Sequence, residues 1–208
     1  MKIETWLLFC AAVFALSGTP GPNMLHVLTR SVSFGFRRSV AAMMGCLTAV
    51  VSVLIASAAG LAAILAAAPT LFEVLRYAGV AYLLYLGIKA WRAPAGNGPD
   101  ASGLTPAMSL FALFRGGFLI SISNPKLLLF AAAFLPQFID RSAPQVPQFV
   151  ILVTSFAVIE TFWYMVYGVG GRGIARYLRR PSLNRVFNRV CGAIFVSFGL
   201  ALLGARSH

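Results

Sequence analysis

Six long apolar runs follow one another along the chain, separated by shorter polar stretches. Each run approaches the roughly 20 residues that an α-helix needs to cross a bilayer. No polar stretch between the runs is long enough to fold as a soluble domain. The pattern therefore predicts an all-α polytopic membrane protein with a single transmembrane domain, residues 1–208. The six predicted spans cover residues 6–29, 39–67, 71–91, 116–138, 149–170 and 186–203.

The first and fourth predicted spans are each interrupted near the middle by residues that break helices. Proline lacks an N–H group and clashes with the preceding turn, and glycine is entropically costly in a helix. Backbone groups freed in lipid still need partners, so a break is tolerated only beside protein or a small water-filled cavity. The alternative is a simple proline kink without a ligand. The interrupting residues are Pro20, Gly21, Pro22 and Asn23 in the first span, and Asn124, Pro125 and Lys126 in the fourth.

A polar linker near the middle divides the chain into two halves with three predicted spans each. We assign residues 1–92 to the first three-helix repeat, 93–115 to the linker and 116–208 to the second repeat. Because three is an odd number, the two halves must cross the membrane in opposite orientations. Each half also begins with its broken span, which is the pattern of a transporter built from two inverted repeats.

Composition and charge support the membrane assignment and orient the chain. Hydrophobic residues make up 59% of the sequence and charged residues only 11%, which excludes a soluble globular domain. The net charge is +12, and most basic residues lie in the first, third and fifth loops. By the positive-inside rule these loops are cytoplasmic, so both termini lie outside the cytoplasm. The basic loops indicate contact with anionic lipid rather than with nucleic acid.

The two breaks together predict a binding site for a small charged molecule. A half-helix that begins inside the membrane presents unpaired N–H groups and the positive end of its dipole, whereas unwound carbonyl groups have the opposite polarity. Such a site suits a zwitterionic amino acid, although other small anions also suit a helix N-terminus. We nominate all the interrupting residues as substrate-binding. Asn23 either caps the half-helix that follows it or donates its amide to a carboxylate.

Two ionisable side chains are predicted deep in the membrane. Glu160 lies near the middle of the fifth span and Lys126 near the middle of the fourth. Charges at this depth are costly and usually pair, face the bundle interior or line a pathway. In the functional interpretation Lys126 holds the substrate carboxylate, and Glu160 holds the ammonium group or takes up a proton. The alternative is a buried ion pair, or a permanently neutral Glu160, that only orders the helices. Trp163, Tyr164 and Tyr167 would wall the cavity or serve as packing and interfacial anchors.

His26 is the second candidate for proton coupling. It lies one turn beyond the first break, and imidazole titrates near neutral pH. The alternative is a polar side chain that faces a neighbouring helix. Small residues at helical spacing, such as Ala41, Gly45 and Ala49, predict close packing of helices inside the molecule. A homodimer contact through such a stripe stays open as the other interpretation.

Several stretches resemble the lysine-exporter (LysE) superfamily, and most closely its homoserine/threonine-resistance (RhtB-type) branch. The resemblance covers nearly the whole chain. It implies secondary efflux of amino acids or close derivatives across the bacterial inner membrane, driven by the proton gradient. The matching stretches are Thr19-Pro20-Gly21-Pro22-Asn23, the second span after Arg37-Arg38, Ser123-Asn124-Pro125-Lys126 and Leu135-Pro136-Gln137-Phe138.

Two other transporter classes are weaker alternatives. A membrane thiol–disulfide carrier needs two cysteines that can meet, and the fourth span has no cysteine to meet Cys10. A metal-ion exporter needs a cluster of soft ligands, but His26 and His208 are the only histidines and no acidic cluster exists. No Walker-type nucleotide loop is present either. No catalytic residue, metal site or cofactor is predicted.

Overall fold

The computed structural model describes residues 1–67, 108–140 and 142–178, together with single positions between 77 and 92 and between 182 and 200. Within these residues every regular element is a helix. The predicted third span, the sixth span and residues 93–107 of the polar linker lie outside the continuously described ranges.

The first predicted span is a bent pair of helices, α1 (Ile3–Gly18) and α2 (Pro22–Phe34). Their axes differ by 51° across the break, which confirms the predicted interruption. Pro22 occupies the first position of α2, where its missing N–H group would have had no helical partner in any case. The proline therefore starts the second half-helix rather than kinking a continuous one.

The predicted second and fifth spans are single long helices. Helix α3 (Phe36–Ala67) follows α2 after a turn at Gly35, whose φ of 79° is a conformation that glycine adopts at little cost. Helices α3 and α6 (Gln145–Leu178) are each long and apolar enough to cross a membrane, and the bent α1–α2 pair is a third candidate among the described residues. Helix α6 departs from helical geometry at Gly171, where φ is 26°.

The fourth predicted span is also interrupted where the sequence indicates. Helix α4 (Leu110–Ile122) ends before the break, and the short helix α5 (Pro125–Leu129) begins after it. The chain continues as a π-helical turn, Phe130–Phe134, and a 3₁₀ turn, Leu135–Phe138. Helix α4 begins earlier than the predicted start near residue 116, because the Ser109 side chain caps it by accepting from Ala112 N–H.

Helices α3 and α4 pack with their backbones in close contact. A Cβ atom added to Gly45 would lie 2.0 Å from the Phe114 carbonyl oxygen, and one added to Gly117 would lie 2.2 Å from that of Ala42. Small residues permit such an approach between membrane helices. The predicted intramolecular packing of the stripe around Gly45 is therefore confirmed.

An aromatic cluster fixes α1 against the chain that follows the second break. Phe9 of α1 contacts the Phe138 ring edge-on at 5.2 Å between centroids, and Phe130 contacts Phe156 of α6 at the same distance. These rings are buried. The cluster packs α1, the chain after the second break and α6 against one another. The polar residues of both breaks lie at one end of this cluster.

Candidate functional site at the two helix breaks

The two breaks are hydrogen-bonded directly to each other. Asn124 Nδ2 donates to Asn23 Oδ1 at 3.0 Å, and Asn23 Nδ2 donates to the Tyr164 hydroxyl at 3.3 Å. All three side chains are buried. The two interruptions, which are about a hundred residues apart in sequence, therefore meet and are linked to α6 through a chain of amide and phenol groups.

The capping arrangement differs between the two breaks. Gly21 is the N-cap residue of α2, and no side chain caps this helix. The interpretation of Asn23 as the cap of α2 is therefore wrong, because Pro22 moves the helix start to a position before Asn23. At the second break Asn124 caps α5, since its Oδ1 accepts from the Lys126 N–H at 3.0 Å.

Lys126 reaches from the second break to the first. Its Nζ donates to the carbonyl oxygens of Leu16 at 2.5 Å and of Thr19 at 3.2 Å. These carbonyl groups lie at the C-terminal end of α1, where the dipole favours a cation. The Leu16 oxygen also accepts from the Thr19 N–H at 3.3 Å. Lys126 therefore binds backbone oxygens of the first break in this structure.

The three aromatic residues of α6 that were predicted to wall a cavity lie against the first break. The Tyr167 hydroxyl donates to the Gly18 carbonyl oxygen at 2.9 Å. The indole of Trp163 lies against the same residue, so that a Cβ atom added to Gly18 would be 2.7 Å from Trp163 Cζ2. Trp163 and Tyr167 thus contact the end of α1, whereas Tyr164 accepts from Asn23 of α2. None of the three is part of the cavity lining.

A small cavity lies where the breaks meet. It offers about 30 Å³ to the centres of water-sized molecules, which is room for roughly one or two waters. Its lining includes Gly21 and Asn23 from the first break, Asn124 and Lys126 from the second, and Glu160 from α6. The structure therefore brings together five of the residues nominated from sequence.

Glu160 is the carboxylate of this cavity, and only 5% of it is exposed. It lies beside Asn23 and Tyr164 and within electrostatic reach of Lys126. The Ser17 hydroxyl is also close, although it is outside normal hydrogen-bond geometry. A buried carboxylate needs polar neighbours because its desolvation is costly. The polar groups of both breaks provide that surrounding.

The other nominated residues lie outside the lining. Pro20 and Pro22 shape the backbone of the first break, and Pro125 occupies the first position of α5. His26 is buried against α4, where a Cβ atom added to Gly116 would lie 3.7 Å from its Nε2. Among the described residues His26 Nε2 has no hydrogen-bond partner.

Six residues that line the cavity were not nominated from the sequence: Leu16, Ser17, Thr19, Met24, Leu127 and Phe156. Ser17 and Phe156 line it, and the backbone carbonyl groups of Leu16 and Thr19 hold the lysine. Ser17 could have been found, because it is a polar residue directly before the glycine–proline break. Backbone carbonyl groups carry no sequence signal, and Phe156 is one apolar residue among many in its span.

The described cysteines show no disulfide. Cys10 and Cys46 are free thiols, and Cys191 lies outside the described residues. In the described ranges no three His, Cys, Asp or Glu side chains are grouped so that they could hold a metal ion.

Comparison with known proteins identifies the family. The LysE type translocator family matches residues 13–206. Homoserine/homoserine lactone efflux proteins of Salmonella typhimurium and Salmonella typhi are 31% and 30% identical over 206 residues, which is 99% of each chain. An uncharacterized membrane protein of Vibrio cholerae is 29% identical over its whole length. The comparison with solved structures found no match.

These matches confirm the resemblance that the motifs indicated, including its RhtB-type character. They cover both broken spans and extend well beyond the described residues. With its apolar helices, the chain is a membrane protein and a transporter rather than an enzyme. It belongs to the LysE type translocator family.

Proposed function

We propose that this protein exports amino acids or close derivatives across the bacterial inner membrane in exchange for protons. Its family and the homoserine/homoserine lactone efflux proteins among its relatives support export of such molecules. The observation that carries the proposal is the cavity in which both helix breaks meet beside the buried Glu160.

The cavity has two ends of opposite polarity, which suits an amino acid. Helix α2 begins there without a side-chain cap, so the N–H groups of its first turn and its positive dipole end can receive a carboxylate. The C-terminal carbonyl groups of α1 and the Glu160 carboxylate favour an ammonium group. Both ends lie within the first broken span, and the second break adds Asn124 and Lys126.

Glu160 is the residue that we propose couples export to protons. It is buried, and it is the only carboxylate that lines the cavity in the described part of the chain. A carboxylate in this position can be neutralised either by a proton or by the ammonium group of the substrate. Because the two cations compete for one group, proton uptake favours substrate release, which is the requirement for antiport. His26 is the alternative candidate for carrying the proton, but it lies outside the cavity lining, so Glu160 is the residue that we propose.

Transport requires a rearrangement around this site. A cavity of about 30 Å³ cannot hold an amino acid, so the site must widen to receive one. We propose that the repeats at 1–92 and 116–208 are inverted relative to each other and move against each other, with the linker at 93–115 in the cytoplasm and both termini outside. The basic loops then contact anionic lipid of the cytoplasmic leaflet.

Transport by the purified protein in liposomes tests the proposal. Vesicles contain a single amino acid, for example L-homoserine, at the same concentration inside and outside, and an inward proton gradient is imposed. We expect export against the amino-acid gradient, and we expect a proton ionophore to abolish it. Export that is unaffected by the ionophore would contradict proton antiport, and no export of any amino acid would contradict the substrate class. A reporter fused to the C-terminus tests the orientation, and a cytoplasmic signal would contradict it.

The relatives' names define a useful set of test molecules. Homoserine carries both an amino group and a carboxylate, whereas homoserine lactone keeps the amino group and has no free carboxylate. The shared group of the two is the amine. We therefore propose that recognition of the ammonium group is the minimum requirement for export by this chain.

A further inference from the structure

We infer that the carbonyl oxygens of Leu16 and Thr19 form the binding site for the substrate ammonium group, and that Lys126 occupies this site when substrate is absent. The inference rests on the proposed function and deepens it. It assigns the ammonium group to backbone oxygens, and it makes Lys126 a competitor of the substrate rather than a ligand of its carboxylate.

The position of the lysine amine carries the inference. Lys126 Nζ lies 2.5 Å from the Leu16 oxygen and 3.2 Å from the Thr19 oxygen. A Cβ atom added to Gly21 would lie 3.6 Å from Nζ, so the amine sits inside the break of the first span. A primary alkylammonium group thus already fits this place, and it is the same chemical group that an amino acid carries.

The surroundings of the two oxygens favour a cation from either source. They lie at the C-terminal end of α1, where the helix dipole is negative. The buried Glu160 lines the same cavity and is within electrostatic reach of the lysine. When a substrate ammonium group replaces Nζ, one positive charge replaces another at the break. The net charge next to the two oxygens is therefore unchanged by the exchange.

The size of the cavity indicates which group must move. The remaining space of about 30 Å³ holds roughly one or two waters and no amino acid. Of the side chains that fill the site, Lys126 has the longest flexible stem and can leave by rotation about its side-chain bonds. Molecules without an amino group can offer these oxygens only uncharged donors, which bind them more weakly than an ammonium group does. Lys126 would thus select for amines, which displace it most readily.

This inference and the carboxylate role of Lys126 predict opposite effects of removing its charge. If Lys126 competes with the substrate, Lys126→Met leaves the carbonyl oxygens open, and ligands with an amino group bind more tightly. If Lys126 holds the carboxylate, the same change weakens binding of ligands that carry a carboxylate. Under both roles the variant loses a partner at the end of α1, so a lower Tm is expected in each case.

Calorimetric binding to purified protein distinguishes the two roles with three probes. L-Homoserine has both groups, homoserine lactone has only the amine, and 4-hydroxybutyrate has only the carboxylate. For Lys126→Met we expect L-homoserine and homoserine lactone to bind roughly tenfold more tightly, because they no longer compete with one charge-assisted hydrogen bond of the lysine. We expect 4-hydroxybutyrate to bind as in wild type. The matched control is Lys2→Met, which removes an exposed lysine and should change none of the affinities.

Several outcomes overturn the inference. Weaker binding of homoserine and 4-hydroxybutyrate with unchanged lactone binding would assign Lys126 to the carboxylate. An equal change for all three probes would indicate a general change of the cavity. If Lys126→Met cannot be purified, Lys126→Gln keeps an amide donor for α1 without the charge, and the same direction is expected. A wild type that neither binds nor exports any amino acid would contradict the proposed function instead.

Discussion

The two helix breaks have similar sequences but opposite roles in the structure. Each places a proline at the first position of the following helix. The second break is capped by its own Asn124 side chain, whereas the first has only Gly21 at the cap position. The oxygens of the first break, at the end of α1 and on Asn23, accept instead from donors elsewhere in the molecule: the Asn124 amide, the Lys126 amine and the Tyr167 hydroxyl.

The difference indicates where a ligand can bind. A break whose backbone groups already bond to its own side chain has few free groups with which to bind a ligand. A break whose hydrogen-bond partners come from other segments can exchange one of them for a substrate group, provided that the partner side chain is flexible. The first break is therefore the receiving side of the site and the second is the donating side, although the sequence signature alone makes them look equivalent.

The largest effect is expected at Glu160, where the receiving break meets α6. Glu160→Gln keeps the size of the side chain and an acceptor oxygen but removes the exchangeable proton. We expect proton-driven export in liposomes to fall to the level of empty vesicles, while downhill exchange of substrate can persist. The matched control is Glu4→Gln, an exposed acidic residue in the first turn of α1, which should transport normally. Uphill export by Glu160→Gln at the wild-type rate would reduce Glu160 to a structural role.

The asparagine pair tests the comparison directly. Asn23→Ala removes the hydrogen bonds to both Tyr164 and Asn124. We expect export to fall roughly tenfold while the protein still inserts, because a buried hydrogen bond contributes about 1.4 kcal/mol. Asn124→Asp keeps the oxygen that caps α5 but removes the amide that donates to Asn23. Normal export by Asn23→Ala would remove this residue from the site.

The two asparagine variants also separate capping from bridging. If the second break serves the first, Asn124→Asp should resemble Asn23→Ala in transport although the oxygen that caps α5 is kept. If the cap of α5 is all that matters, Asn124→Asp should transport normally and only Asn124→Ala should fail, with a loss of about 1 kcal/mol of stability.

Much of this site could be predicted from sequence because it depends on the covalent structure of proline and glycine. Proline and glycine interrupt helices wherever they occur, so both breaks were correctly placed. A carboxylate in an apolar span is costly enough that the burial of Glu160 followed from its position alone. The family resemblance followed from the same short stretches, since they combine the breaks with their neighbours.

The remaining features depend on which acceptor a long side chain reaches. Lys126 has a flexible stem, and backbone carbonyl groups look alike in sequence, so its bonds to Leu16 and Thr19 could not be foreseen. The cap of α2 was misassigned because a proline at the first helical position fixes the start one residue earlier than Asn23. Hydropathy also placed the start of α4 too late, since it ignores the cap at Ser109.

A smaller effect is expected where α6 braces the first break. In Gly18→Ala the new methyl group would lie 2.7 Å from the Trp163 ring, so the indole or the end of α1 must shift. We expect a loss of about 1–3 kcal/mol in stability, seen as a lower Tm of the purified protein. Gly60→Ala is the control, because nothing lies within 4 Å of the added atom. Equal Tm values for the two variants would show that Trp163 does not hold the break.

The smallest effect is expected at His26, which lies on α2 but outside the cavity. Its imidazole is buried against α4 beside Gly116, and the cavity lining passes through Asn23 and Met24 instead. If His26 only packs α2 against α4, His26→Gln keeps a polar group of similar size and should change the export rate by about twofold or less. The pH dependence of export should also keep its shape, because Glu160 would still carry the proton. A pH profile that flattens in His26→Gln but not in Asn23→Ala would instead make His26 part of the proton route. The functional site at the first break would then include the first turn of α2 as far as His26.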